Sequence, residues 1–406
     1  MHTICVPEHK SLAGQVLPRP VAQSLRERFK KYLTITPSFE LPGTFDLQAN
    51  DWVGQIIVGD VCIVIEPKTP VNNLFYMLTY AYKLPLFQRE PFPFGVTENM
   101  LEMIILIFAR QVETLVRRGI YRGYMVWEEN LPILRGRLLV DKQVRRNPVQ
   151  LHRFFTRRDE FTADVLENRL LKAVLFLLSR LEYRQPDLRS RLWRLLRSFD
   201  EVSLRPIVRD DFDHVLYGRL NQHYASIHNL ARLLWEHLSL ENCEGEHAFV
   251  SYLLHMWQVF EVFVAEYLSE FYSRVPGVDV VAQQNIWLDV EQRVQGVPDI
   301  VIKVNDQPAL ILDTKYKLYR SKPSSNDLHQ MIAYCHRLGL TSAILVYPGT
   351  VPPDRFDFKG ITVDVRALDL TGDLDAFRAR CQTFAKELHS IVVNRSVATY
   401  EPIAVA

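Results

Sequence analysis

Two hydrophobic periods alternate along this chain. Over residues 1–65 the apolar positions fall in short β-rich runs, TFDLQA, WVGQIIVGD and VCIVIEP, each broken by Gly, Pro, Asn or Asp. Such runs predict a small β-rich domain or barrel. From Val71 to about Arg118 the spacing changes to three and four, in NLFYMLTYAYKL and NMLEMIILIFARQVETLVRR, and predicts helices. Tyr124–Arg137 returns to an extended pattern ending in an Arg-Gly-Arg turn. Residues 160–240 are helical again, in EFTADVLENRLLKAVLFLLSRLEY with Thr162 as a candidate cap, then RLWRLLRSFD and HNLARLLWEHLSL. The short acidic ENCEGEH at 241–247 marks a boundary.

Beyond it the pattern predicts one long helix from about Ala248 to Ser273 and strands in VDVVAQQNIWLDV, PDIVIKV and PALILDTKYK. A helix in DLHQMIAYCHRLG, strands in SAILVYP and ITVDVRAL, and a closing helix in DLDAFRARCQTFAKELHSIV complete it. An α-β-β-β-α-β order with flanking helices describes an α/β sandwich around a mixed sheet. The expected organisation is therefore a multidomain α/β protein: a β-rich and helical N-terminal domain over 1–150, a helical and basic middle region over 151–245, and the α/β sandwich over 246–406.

Composition narrows the class. A chain of 406 residues, 48% hydrophobic and 23% charged, is an ordinary globular protein with room for two or three domains. Its net charge of +1 means that any affinity for nucleic acid must come from uneven distribution. Arg135 to Arg209 holds 18 Lys/Arg against 9 Asp/Glu, a balance of 18 − 9 = +9. Arg145, Arg146, Arg153, Arg157 and Arg158 could track a phosphate backbone, or simply form a solvated face. The five cysteines are odd in number and lack a C-x-x-C, so neither a disulfide framework nor a zinc site is expected. Neither a signal-peptide core nor a membrane-length apolar run is present, and a cytoplasmic protein without membrane contact is expected. No G-K-[ST] phosphate loop occurs, which excludes a P-loop NTPase.

The chemistry concentrates in GVPDIVIKVNDQPALILDTKYK. Residues two apart in a strand share a face, so Asp313 and Lys315 point the same way. A hairpin turning about Asp306 would set Asp299 opposite Asp313, a separation suited to two carboxylates on one Mg²⁺. Phosphodiester hydrolysis calls for such a kit, because the uncatalysed reaction is extremely slow. Lys315 would orient water or stabilise charge on phosphorus. The bland alternative is a solvated Asp–Lys pair at a strand end. Glu261 shares a helical stripe with Leu254, Trp257, Val264 and Leu268, and a carboxylate on a buried face needs a metal or a cationic partner. Gln330 and Tyr334 stand four apart and face one way, and Lys317 extends the cationic rim.

These residues resemble the PD-(D/E)xK nuclease superfamily. Pro298-Asp299 and Asp313-Thr314-Lys315 match its signature, Glu261 its first-helix acid, and Gln330 with Tyr334 the Q-x-x-x-Y of its RecB-like branch. More narrowly the chain resembles the McrC family, nuclease subunits of McrBC-type restriction systems. That likeness includes IEPKTPVNNLFYMLTYAYKLP, the Arg-Gly-Arg of 135–137 and the ENRLLK of 167–172. It implies a Mg²⁺-dependent endonuclease acting on double-stranded DNA with modified cytosine. Asp299, Asp313, the Thr314 carbonyl and Glu261 would serve the metal. It also implies an N-terminal region that engages a hexameric McrB-like AAA+ GTPase and stimulates its hydrolysis. A freestanding RecB-like repair nuclease and a non-catalytic adaptor for a ring motor remain alternatives.

Overall fold

The computed structural model describes residues 2–84, 100–242 and 248–398, apart from Glu182, Arg184, Leu318 and Arg320. Its packing separates two units, one made of residues 1–95 with 240–406 and the other of residues 96–239. The first unit takes in both ends of the chain because a strand from beyond residue 247 pairs with the N-terminal sheet. Hydrophobic periodicity cannot report such long-range pairing.

The first unit begins with strands β1 (His2–Pro7) and β2 (Ser11–Gln15), helix α1 (Arg19–Arg28), and strands β3 (Leu33–Pro37), β4 (Phe45–Ala49), β5 (Trp52–Val58) and β6 (Val61–Glu66). Helix α2 (Val71–Ala81) follows. As the period-two runs predict, this region is β-rich. Its core gathers Val6, Leu25, Leu47, Ile56 and Ile63, all fully buried.

The second unit comprises α3 (Met100–Arg118), β7 (Gly123–Leu131), β8 (Arg137–Leu138), α4 (Val140–Arg146), β9 (Phe154–Thr162), α5 (Leu166–Ser179), α6 (Pro186–Arg197) and α7 (Ala225–His237). Thr162 ends β9 rather than capping a helix: its hydroxyl accepts from the Asp164 N–H at 3.0 Å, and α5 starts at Leu166. The ENRLLK string proves to be a set of internal ties. Glu167 accepts from Asn221, buried Asn168 donates to the Tyr121 and Ala163 carbonyls, and Arg169 forks onto Asp164 at 2.7 and 2.9 Å. Lys172 donates to the Phe199 and Val202 carbonyls. The Arg169 guanidinium, then the N–H and hydroxyl of Ser203, hold the Asp164 carboxyl far below its ordinary range.

The arginines of this unit divide. Arg153 donates to the Asn130 carbonyl, Arg158 sits between Glu129 and Glu160 at 3.2 and 3.3 Å, and Arg146 lies over the Phe155 ring. Arg145 and Arg157 are exposed. In the Arg135-Gly136-Arg137 turn, a Cβ on Gly136 would lie 2.5 Å from the Arg157 carbonyl oxygen, and φ is +87°. Only glycine lets that turn lie against β9.

The chain returns to the first unit through β10 (Leu238–Asn242), β11 (Ala248–His255) and α8 (Met256–Tyr272), with residues 243–247 of the expected boundary loop outside the described set. The helix expected from Ala248 is thus a strand for its first eight residues. Backbone pairing prevails over periodicity here: β11 runs antiparallel to β5 from Phe249↔Val58 to His255↔Trp52, in a sheet ordered β1-β6-β5-β11-β10.

After α8 come β12 (Val278–Ala282), β13 (Ile286–Trp287), β14 (Gln295–Gly296), β15 (Ile300–Val304), β16 (Gln307–Thr314), α9 (Ser325–Leu338), β17 (Ser342–Pro348), β18 (Asp354–Phe358), β19 (Ile361–Leu368) and α10 (Leu374–Ala398). The single strand expected over VDVVAQQNIWLDV splits at Gln283, whose φ is +51°. The expected mixed sheet is present, ordered β12-β15-β16-β17-β19-β18, with β16, β17 and β19 parallel. One face, through Val301, Ile311, Ala343, Leu345 and Val363, packs with Met331 and Cys335 of α9. The alternate residues Ile300, Ile302, Leu310, Leu312 and Ile344 are equally buried, on the face met by α8 and α10. Fully buried Asn73 of α2 donates to the Leu370, Thr371 and Gly372 carbonyls and so ties the loop before α10. No helix among the described residues is long and apolar enough to cross a membrane.

Candidate active site

The β15–β16 hairpin places the two aspartates by a compensated irregularity. Its turn is Asn305-Asp306, both at positive φ (49° and 64°), flanked by Val304↔Gln307. A regular ladder from that two-residue turn would oppose Asp299 to Leu312, on the wrong face. Instead Lys303 pairs with Pro308 and Ile302 with Leu310, so Ala309 is an extra residue, a β-bulge. Pro308 has no N–H to give the ladder, which favours the irregularity there. The register then runs Val301↔Ile311 and Ile300↔Leu312, and its next step opposes Asp299 to Asp313.

Asp299, Asp313 and Thr314 are all buried, at 7%, 1% and 0% exposure. Asp299 Oδ2 accepts from both the backbone N–H (2.7 Å) and the hydroxyl (2.9 Å) of Thr314. The Lys315 ammonium stands 2.5 Å from the buried Asp313 Oδ2 and is its counter-charge. Lys315 also donates to Gln330 Oε1 at 3.3 Å, and Gln330 Nε2 donates to the Tyr334 hydroxyl at 2.9 Å. The i, i+4 pair on α9 thus acts as a bracket for the lysine. Glu261, 3% exposed, arrives from α8 and accepts from Gln283 Nε2.

Electrostatics follow from burying three carboxylates together. Burial, then Asp299 and Asp313, push the Glu261 carboxyl up to about 8. Burial, then Asp299, lift Asp313 to about 6, and burial also raises Asp299. Burial alone would depress the Lys315 ammonium, but Asp313 and Asp327 more than offset that and keep it charged. All eight residues singled out in the sequence (Glu261, Asp299, Asp313, Thr314, Lys315, Lys317, Gln330 and Tyr334) lie in this unit. Two participants escaped that reading. Asp327 accepts from Lys317 at 2.5 Å and lies 3.8 Å from Lys315, and it closes a capping box with Ser324 at the start of α9. The Ser-x-x-Asp spacing was its sequence signal. Gln283 had none, since its role depends on a left-handed turn after β12.

Among the described residues no three His, Cys, Asp or Glu side chains form a ready-made metal cage. The oxygens nevertheless fit a hard divalent cation, which takes one or two carboxylates and keeps its other positions for water. The mutual repulsion of the three buried carboxylates is what such a cation would relieve.

Fold and site together define a mixed α/β protein with an acid–acid–lysine centre at the end of a sheet hairpin. The chain belongs to the family described as McrBC 5-methylcytosine restriction system component, which its residues 47–348 match. It is 22% identical over 331 residues to the type IV methyl-directed restriction enzyme EcoKMcrBC of Escherichia coli K12, covering 75% of this chain and 94% of that protein. Its fold is similar to that of a chain in the half-complex from the tetradecameric assembly of Thermococcus gammatolerans McrB AAA+ hexamers with bound McrC. That match has a TM-score of 0.58 and 22% identity, over 95% of this chain and 99% of that one.

Proposed function

We propose that this chain is the Mg²⁺-dependent DNA endonuclease subunit of a McrBC-type restriction complex, cutting DNA with modified cytosine. The observation that carries the reading is the convergence of Asp299, Asp313 and Lys315 on one buried strand end, with Glu261 beside them. Asp299, Asp313 and the Thr314 carbonyl would hold the metal, with Glu261 completing its surroundings. When bound, Mg²⁺ supplies neutralising charge at the phosphate and lowers the pKa of water. Lys315, bracketed by Gln330 and Asp327, is placed to donate to a phosphate oxygen as charge develops on it. Lys317, half exposed, offers a second cation to the phosphate backbone.

The partner follows from the relatives: in the archaeal assembly McrC is bound to McrB AAA+ hexamers. A hexameric AAA+ GTPase is accordingly the expected partner here, with its hydrolysis stimulated by this chain. The test is DNA cleavage by the purified chain with and without that partner, its nucleotide and Mg²⁺. Cleavage that needs all three supports a restriction subunit. Equal cleavage by the chain alone would instead identify a freestanding nuclease.

The carboxylates also set a pH dependence for metal binding. Asp313 and Glu261 are raised above their ordinary values of 3.8 and 4.5, so protons stabilise the metal-free fold. That contribution is complete below the ordinary range and is lost as pH climbs through about 6 and about 8. A cation replaces those protons, so the rise in Tm on adding Mg²⁺ should be small at about pH 5.5 and several degrees larger at about pH 8.5. Thermal melts with and without Mg²⁺ check this, and a rise that shrinks with pH would contradict it.

A further inference from the structure

Beside the site runs a line of rings with no role in the chemistry above. Tyr32 meets Trp52 edge-on at 4.7 Å, Trp52 stacks on His255 at 4.4 Å, and His255 lies 5.7 Å from Trp257. The Lys31 ammonium is 4.9 Å from the Trp52 ring. Trp257, expected from helical spacing to be buried, is 40% exposed. It sits four residues before Glu261 on α8, hence on the same side of that helix. A groove of about 270 Å³ joins the last rings to the catalytic strand end, lined by Asp51, His255, Trp257, Lys315, Tyr316 and Lys317.

The rim is firmly built. The Tyr316 hydroxyl donates to buried Glu8 at 3.1 Å, and the Lys68 ammonium stands 3.9 Å from the Tyr316 ring centre. Asp51, the one acid in the lining, has His9 Nε2 at 3.3 Å. A groove with two lysines at one end and an exposed indole at the other, backed by partly buried rings, suits a strand whose bases are unstacked. In a duplex each base face is already covered by its neighbours, so Trp257 would find no face to meet.

We propose that this groove binds an unpaired stretch of the substrate strand, with a base stacked on Trp257 and a backbone phosphate on Lys317, next to the phosphodiester held at Lys315. This rests on the nuclease reading for the identity of the substrate, but its test does not require cleavage. In the full chain carrying Asp313→Asn, the affinities of a dye-labelled oligothymidine and of its duplex are measured by fluorescence anisotropy. Trp257→Ala should weaken the single strand about tenfold and change duplex affinity less than about twofold, while Trp257→Phe should retain most of the binding. In the same background, single-strand binding should also quench intrinsic fluorescence that Trp257→Phe removes. Unchanged single-strand affinity in Trp257→Ala, or equal losses for single strand and duplex, would overturn the proposal. Strand binding through Trp257 in a complex that never cuts DNA would leave the groove standing and remove the nuclease reading instead.

Discussion

Lys315→Met should lower the cleavage rate of the assembled complex by about 10³-fold while leaving DNA affinity within a few-fold of wild type, since one preorganised donor to developing charge is worth about 3–4 kcal/mol. The lysine is held by three groups at once: Asp313, Asp327 and the Gln330 side-chain oxygen Oε1. Methionine fills the same space without the cation. Asp313 then loses the charge that counters its burial, so its carboxyl should rise further above about 6. Single-turnover cleavage separates this from a binding defect. A variant that lost affinity but kept its rate would mean that Lys315 only tethers the backbone.

Gly54→Val is expected to destabilise the first unit by about 4 kcal/mol or more. Gly54 lies in β5 opposite Leu253 of β11, with φ +135°, and a Cβ there would fall 2.0 Å from the Tyr252 carbonyl oxygen. That pairing attaches the N-terminal strands to the chain that leads straight into α8 and Glu261. Disrupting it therefore removes order from the site as well as from the sheet. Chemical denaturation gives the magnitude. Melting unchanged from wild type would show that the β5–β11 pairing is not what holds this unit.

Much of the site was legible because its residues are close in sequence. Asp299, Asp313, Thr314 and Lys315 occupy one hairpin, and two-residue periodicity puts Asp313 and Lys315 on one side. The opposition of Asp299 to Asp313 came out of a turn centred on Asp306. In the structure the turn centre lies half a residue earlier, and the bulge at Ala309 restores the register. Pro308 was the available sign of that irregularity. The fold outside the hairpin was less legible where distant backbone segments decide it. The apolar run Ala248–His255 is compatible with either helix or strand, and only its partner β5 makes it a strand. Trp257 kept a helical spacing and still faces outward. The ENRLLK and VNNLFY strings, by contrast, owe their composition to buried amides and cations that tie loops far away in sequence.

The central claim is that Asp313 belongs to a metal-dependent cleavage site and does not merely complete a strand. It is most directly tested by Asp313→Asn, which keeps the shape of the side chain and removes one of three crowded carboxylates. In the complete assembly with ring partner, nucleotide, Mg²⁺ and methylated DNA, scission by this variant should fall below detection. The partner's nucleotide hydrolysis should continue at the wild-type rate, and the metal-free chain should melt no lower than wild type. Scission by Asp313→Asn at a rate close to wild type would contradict the account.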